Sequence, residues 1–289
     1  MASDGFQEYS RVANKPADKT QTVETLKSLG AEFNQPYKSE KNIECAIWRD
    51  DLITSIMLSP LKDLHELHDL RLYRCRITKA AWQEIQVLKI KELYLCGSRL
   101  SKSDIKEISK LKGLRLLWLD DTGITDKEVS MLGSLTDLQN LRITKNKLTD
   151  KSLDTIKYFT KLKILSLGES DISDAGVRKI QHLTRMTSLN LGSTKITDQT
   201  LIEIQGMTEL EELLLANTAI TDACIPQIKK FKKLRWLDVS YTKMTDAGFE
   251  RLKSLRLKYL RTQRPLTQEM IDDLIRKQEE YLKKQKEKK

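Results

Sequence analysis

Leu114, Leu138, Leu162, Met186, Leu210 and Leu234 each follow the last by 24 residues. Ile90 precedes Leu114 by the same step, and Leu67 and Leu257 belong to units one residue shorter. A fixed step of this size limits the fold more than composition does. One unit is too small to close a core of its own, so its apolar face must be buried against the units before and after it. Within the unit that starts at Leu114 (position 1), Leu117 and Leu119 fall at positions 4 and 6, and Ile124 falls at position 11. Val129, Leu132 and Leu135 fall at positions 16, 19 and 22. The first set has the period of two of a short strand, and the last set is the stripe of a short helix. Each unit is therefore expected to run strand, turn, helix, turn.

The stretch "LRLLWLDDTGITDKEVSMLGSLTD" (114–137) fits an L-x-x-L-x-L skeleton and resembles the leucine-rich-repeat family. That resemblance implies an α/β solenoid: a curved horseshoe with a parallel sheet on its concave side and helices on its convex side. The chain departs from the pattern at position 9, where many relatives carry Asn or Cys. Here the column reads Cys75, Ser98, Thr122, Asn146, Ser170, Thr194, Thr218 and Thr242. Hydroxyls can still bond loop backbone groups, so the column is expected to be altered rather than lost. The "SDAG" and "TDAG" pieces at 173–176 and 245–248 look like a bacterial-type subclass.

The expected organisation is a flexible segment over 1–21, an N-terminal cap and degenerate first repeat over 22–66, the solenoid over 67–275, and a basic tail over 276–289. "TVETLKSLG" (22–30) reads as a helix stopped by Gly30, and "NIECAIW" (42–48) alternates as a strand. Leu58, Leu61 and Leu64 take helix columns, and "LTQEMIDDLIRKQEEYL" (266–282) is expected to cap the far end. The net charge is +10, of which the tail supplies seven Lys/Arg against three Glu. The start has no apolar segment of the secretory kind, no run is long enough to span a membrane, and the four cysteines form no CxxC pair. Together these features predict an intracellular, cytoplasmic protein.

The recurring acids Asp126, Asp150, Asp174, Asp198, Asp222 and Asp246 occupy position 13, where turn becomes helix. Thr and Asp there suit the unpaired amides and dipole of a helix start, and "TDKE" (125–128) is a capping-box pattern. A metal ladder does not fit, because adjacent helices pack about 8–10 Å apart and calcium ligands lie about 2.3–2.6 Å from the ion. The sequence holds no Gly-rich phosphate loop, H-E-x-x-H motif or paired cysteine ligands, so no cofactor, metal or catalytic residue is expected. A thiol at Cys96 is expected on the concave side.

The strand positions that the core does not dictate remain. They place Tyr73, Tyr94, Trp118 and Arg142 with Asp120 and Asp121 in one patch, and Leu214, Trp236, Asp238, Tyr241 and Tyr259 in another. Trp, Tyr and Arg are the types enriched at binding hot spots. A non-enzymatic module gripping an unidentified partner protein along its concave face is the expected function. The alternatives are nucleic acid or an anionic surface bound through convex lysines and the tail, or an adaptor that recognises substrates for a larger complex. The sequence leaves oligomeric state open.

Overall fold

The computed structural model describes residues 19–33, 45–255 and 257–262. The cap helix expected over 266–282, the basic tail and most of the segment 1–21 lie outside these residues. Helix α1 (Lys19–Ser28) begins inside the segment expected to be flexible, so the cap starts three residues earlier than the sequence suggested. Its stop is Gly30, at φ +84, a backbone conformation that costs glycine little. The fully buried Leu26 and the indole of Trp48, whose Nε1 donates to Leu29 O at 3.1 Å, tie this helix to strand β1 (Cys45–Arg49).

Strand β1 opens a ten-stranded sheet that ends at Tyr259–Arg261. All of its neighbours are parallel, and they follow one another in chain order. Most strands are three residues long. Pairing is position for position without stagger, so Leu93, Leu117, Leu141, Leu165, Leu189, Leu213 and Leu237 form one continuous row, each no more than 1% exposed. Strands lie about 4.8 Å apart, whereas packed helices need about 8–10 Å. The sheet must therefore take the inner side of the stack.

The elements on the outer side are shorter than the sequence pattern implied. Lys79–Val87, Lys102–Ile108, Asp126–Met131, Asp174–Arg178, Asp198–Glu203 and Asp246–Lys253 are helical. One unit has only the single turn Leu153–Ile156. Another has a 3-10 turn, Asp222–Cys224, followed by Ile225–Ile228, with Pro226 in its first turn. Asp150 accordingly starts a turn and not a helix. The apolar columns are nonetheless buried throughout: Leu114, Leu138, Leu162, Met186 and Leu210 are at 0% exposure, as are Ile156, Ile180 and Ile204 on the outer side. Burying about seven such side chains per unit contributes roughly 1.5–3 kcal/mol each before entropy is counted.

The position-13 carboxylates do more than charge a helix end. From Asp126 to Asp222, each reaches across to the next unit and holds the backbone amide and hydroxyl of its position-12 residue. Asp126 accepts from Thr149 N and Oγ1 at 2.9 and 2.6 Å, and Asp150 accepts from Ser173 N and Oγ at 2.8 and 2.6 Å. Asp174 holds Thr197, Asp198 holds Thr221 and Asp222 holds Thr245 in the same way. The threonine then turns its hydroxyl to its own first helical turn, as Thr125, Thr197, Thr221 and Thr245 do. In the TDKE unit the reciprocal bond from Thr125 N to Glu128 Oε2, at 3.0 Å, completes the capping box. Position 9 behaves as its hydroxyls allow: Ser170, Thr194, Thr218 and Thr242 each donate to the carbonyl three residues back. Two members of that column span two units: Asn146 donates to Leu119 O and accepts from the amides of Thr122, Gly123 and Ile124, and Ser98 Oγ donates to Leu72 O and accepts from Cys75 N.

Candidate functional site

Along the open face of the sheet, position 5 places Arg71, Tyr94, Trp118, Arg142, Ser166, Asn190, Leu214, Asp238 and Arg261 side by side. Position 3 brings Trp236 beside Tyr259. At the N-terminal end the rings pack into a ladder. Tyr73 lies 6.5 Å from Tyr94, and Tyr94 meets Trp118 edge-on at 4.6 Å. Guanidinium groups cover the rings: Arg49 over Tyr73 at 4.9 Å, Arg71 over Tyr94 at 4.6 Å and Arg142 over Trp118 at 4.3 Å. Such contacts hold planar side chains in one orientation. Trp118 Nε1 donates to Asn140 Oδ1 at 3.2 Å, and Arg71 is anchored by Asp69 at 2.6 Å.

This packing corrects one expectation. Tyr94 is only 6% exposed, and its hydroxyl donates to Glu92 Oε2 at 3.0 Å. Its burial and the carboxylates of Glu92 and Asp69 push the phenol well above its ordinary range. It supports the patch from beneath rather than forming its surface. Tyr73, Trp118 and Arg142 stay half-exposed.

The carboxylates of the patch divide. Asp120 is engaged, accepting from Thr144 N and Oγ1 at 2.8 and 2.7 Å and lying 3.2 Å from Arg142 Nε. Asp121 sits one residue on, at φ 56, where the chain turns away from the sheet. The whole of position 8 shares this left-handed corner, including Lys145, Glu169 and Tyr241, so these side chains stand on the rim and not on the sheet face. Cys96 does lie beside Asp120, its Sγ 4.0 Å from Oδ2. Burial, followed by the Asp120 charge, raises its pKa, so the thiol is held protonated and is a poor nucleophile.

The middle of the face is a floor of small residues, Gly168, Gly192 and Ala216. A β-carbon at Gly168 would come within 3.1 Å of Gly192 O. At the C-terminal end Trp236 and Tyr259 pack at 4.8 Å and are 39% and 47% exposed, and Tyr241 on the rim is 47% exposed. Asp238, expected on the surface, is 8% exposed. It accepts from Ser240 N at 3.0 Å and lies 3.5 Å from Arg261. Leu214 is half-buried. Sequence reasoning left out Arg49, Arg71 and Asn140. Arg71 stood in the right column, but only the register shows that its guanidinium covers Tyr94.

The segment 160–180 matches the family model described as Leucine Rich repeat. It is one turn of a ladder whose other units carry the same buried columns in the same register. The fold is a leucine-rich-repeat solenoid. No curated protein matches the chain. Among solved structures, the chain is similar to an internalin (inlF) from Listeria monocytogenes, at 18% identity over 75% of this chain and 86% of that one, with a TM-score of 0.42. It is also similar to internalin inlC2 of the same organism, at 23% identity over 76% and 80%, TM-score 0.48. A third similar structure is the plant peptide hormone receptor RGFR1 in complex with RGF2, at 17% identity over 75% of this chain and 38% of that one, TM-score 0.44. No described helix is long and apolar enough to cross a membrane, and among the described residues no three His, Cys, Asp or Glu side chains converge as a metal site.

Proposed function

We propose that this leucine-rich-repeat chain is a non-enzymatic module that holds a partner protein across the open face of its sheet. The observation that carries this reading is the exposed aromatic pair Trp236–Tyr259, with Tyr241 beside it on the rim, at the far end of a small-residue floor from the Trp118–Arg142 pair. Rigid aromatic anchors at two ends of a smooth surface are what a protein interface needs at low cost in ordering. The face's carboxylates are engaged in structural bonds at Asp120 and Asp238, which leaves them poorly placed as acids or bases. Free thiols at Cys75, Cys96 and Cys224 support a reducing, cytoplasmic setting.

The test is retention of a partner from a lysate by immobilised protein. Trp236→Ala with Tyr241→Ala removes exposed rings only, so partner affinity falls about thirtyfold or more while the melting temperature stays close to that of the parent. Arg142→Glu weakens the other anchor in the same assay. A partner retained equally by all of these variants refutes the sheet face as its site.

A further inference from the structure

The two edges of the sheet use their charges differently. Where strands end and helices begin, the edge carries the aspartate row Asp126 to Asp246. At the other edge, where each turn leads from a helix into the next strand, Lys89, Lys91, Lys112, Arg115, Lys163 and Arg185 are all exposed. None of the six has an ion-pair partner among the described residues, unlike Lys110, Lys161 and Lys233 of the same edge, which meet Glu107, Asp137 and Glu209. The helix dipole accounts for cations in a helix's last turn. It does not account for Lys91, Arg115 or Lys163, which stand at strand entrances; there Arg115 N donates to Lys91 O at 2.8 Å and Lys163 N to Gln139 O at 2.8 Å.

Three further observations bear on what such an edge meets. The unstaggered register keeps every turn at one height along the strand direction, so the edge is level however the sheet curves. Two large apolar side chains protrude beside the cations: Val87, 66% exposed, and Tyr158, 63% exposed, with Lys157 Nζ 5.2 Å from the Tyr158 ring centre. On the same edge, a cleft of about 330 Å³ has Lys89, Lys91, Lys110 and Lys112 around an apolar floor of Leu88, Ile90 and Leu111. A level cationic rim with apolar tips matches a planar anionic surface with an apolar interior. A nucleic-acid duplex is a rod and offers nothing for those tips.

We propose that this edge docks on an anionic membrane surface. The lysines meet headgroup phosphates, Tyr158 and Val87 sit at the interface, and the open sheet face stays free for its protein partner. The test is co-sedimentation of the full chain with vesicles of phosphatidylcholine alone and with about 30% phosphatidylserine added, at low and high salt. The chain is expected to sediment with the anionic vesicles only, and less as salt rises. Lys89→Gln, Lys112→Gln and Lys163→Gln together lower partitioning about a hundredfold, at about fivefold per lysine, without moving the melting temperature. Tyr158→Ser lowers what binding survives at high salt. Removal of residues 276–289, which are also basic, leaves a dependence on the three lysines intact. The proposal fails if the triple variant sediments like the parent, if only the tail matters, or if the chain binds a DNA duplex and ignores the vesicles.

Discussion

At Gly248 a β-carbon would stand 1.9 Å from Asp222 Oδ1, and at Gly176 it would stand 2.2 Å from Asp150 Oδ1. Both glycines lie inside helices, where alanine ordinarily stabilises by about 1 kcal/mol. Here the preceding unit's carboxylate occupies the space, so Gly248→Ala is expected to destabilise by about 1–3 kcal/mol, with a lower urea midpoint as the readout. The same column elsewhere holds Ser152, Thr200 and Cys224, and Thr200 Oγ1 donates to Asp174 at 2.5 Å. Burial alone would raise the pKa of Asp174. The amide of Thr197 and the hydroxyls of Thr200 and Thr197 outweigh it and bring the pKa below its ordinary 3.8. A depressed carboxylate stabilises the fold above its unfolded pKa and loses that contribution as pH falls through the folded one. Asp174→Asn should therefore flatten the decline of stability at the acid end, below pH 3.8, in urea titrations run at a series of pH values.

A unit is the natural quantum of this fold, because each makes the same contacts on both sides. Deleting residues 186–209 would bring Asp174 to Thr221 and Leu165 to Leu213, replacing like with like in every column. That deletion should leave a cooperatively folded chain, whereas removing 186–197 alone breaks the columns and should abolish folding, as circular dichroism and thermal melts would show. The columns were legible in the sequence because strand period and helix period each leave their own spacing. The outer elements were less so. At Pro226 and at Leu153–Ile156 the same apolar spacing is met by a 3-10 turn or a single helical turn, which bury the same side chains with fewer hydrogen bonds. The role of the aspartates across units was hidden for a different reason. Each one's partner lies 23 residues along the chain, and only the register brings the two together.

For the molecule as a whole, the first strand needs a lid, and α1 with Trp48 supplies it. Trp48 is 1% exposed, so Trp48→Ala is expected to cost about 3–5 kcal/mol and to lower the melting temperature of the entire array. The candidate face was legible as a set of columns, since an unstaggered parallel sheet leaves the side chains no other order. Exposure within those columns was not. Strands about 4.8 Å apart let large neighbours cover one another, which is why Tyr94 and Asp238 are buried while Trp236 and Tyr259 are not. Position 8 was misplaced because a left-handed corner filled by Lys, Glu and Tyr has no signature in residue type.

The aspartate–threonine bonds give the stack a direction. Asp126, Asp150, Asp174, Asp198 and Asp222 all act forward, on the unit that follows, and the position-12 amides of Thr149, Ser173, Thr197, Thr221 and Thr245 are served from behind. A fragment cut after a complete unit ends with a carboxylate facing water, which solvates it readily. The complementary fragment starts with an amide and hydroxyl that have lost their acceptor just where a helix must begin. The two halves of the molecule are therefore unequal: the array can be assembled from its N-terminus, as it emerges during synthesis, with each finished unit presenting the template on which the next one's helix starts.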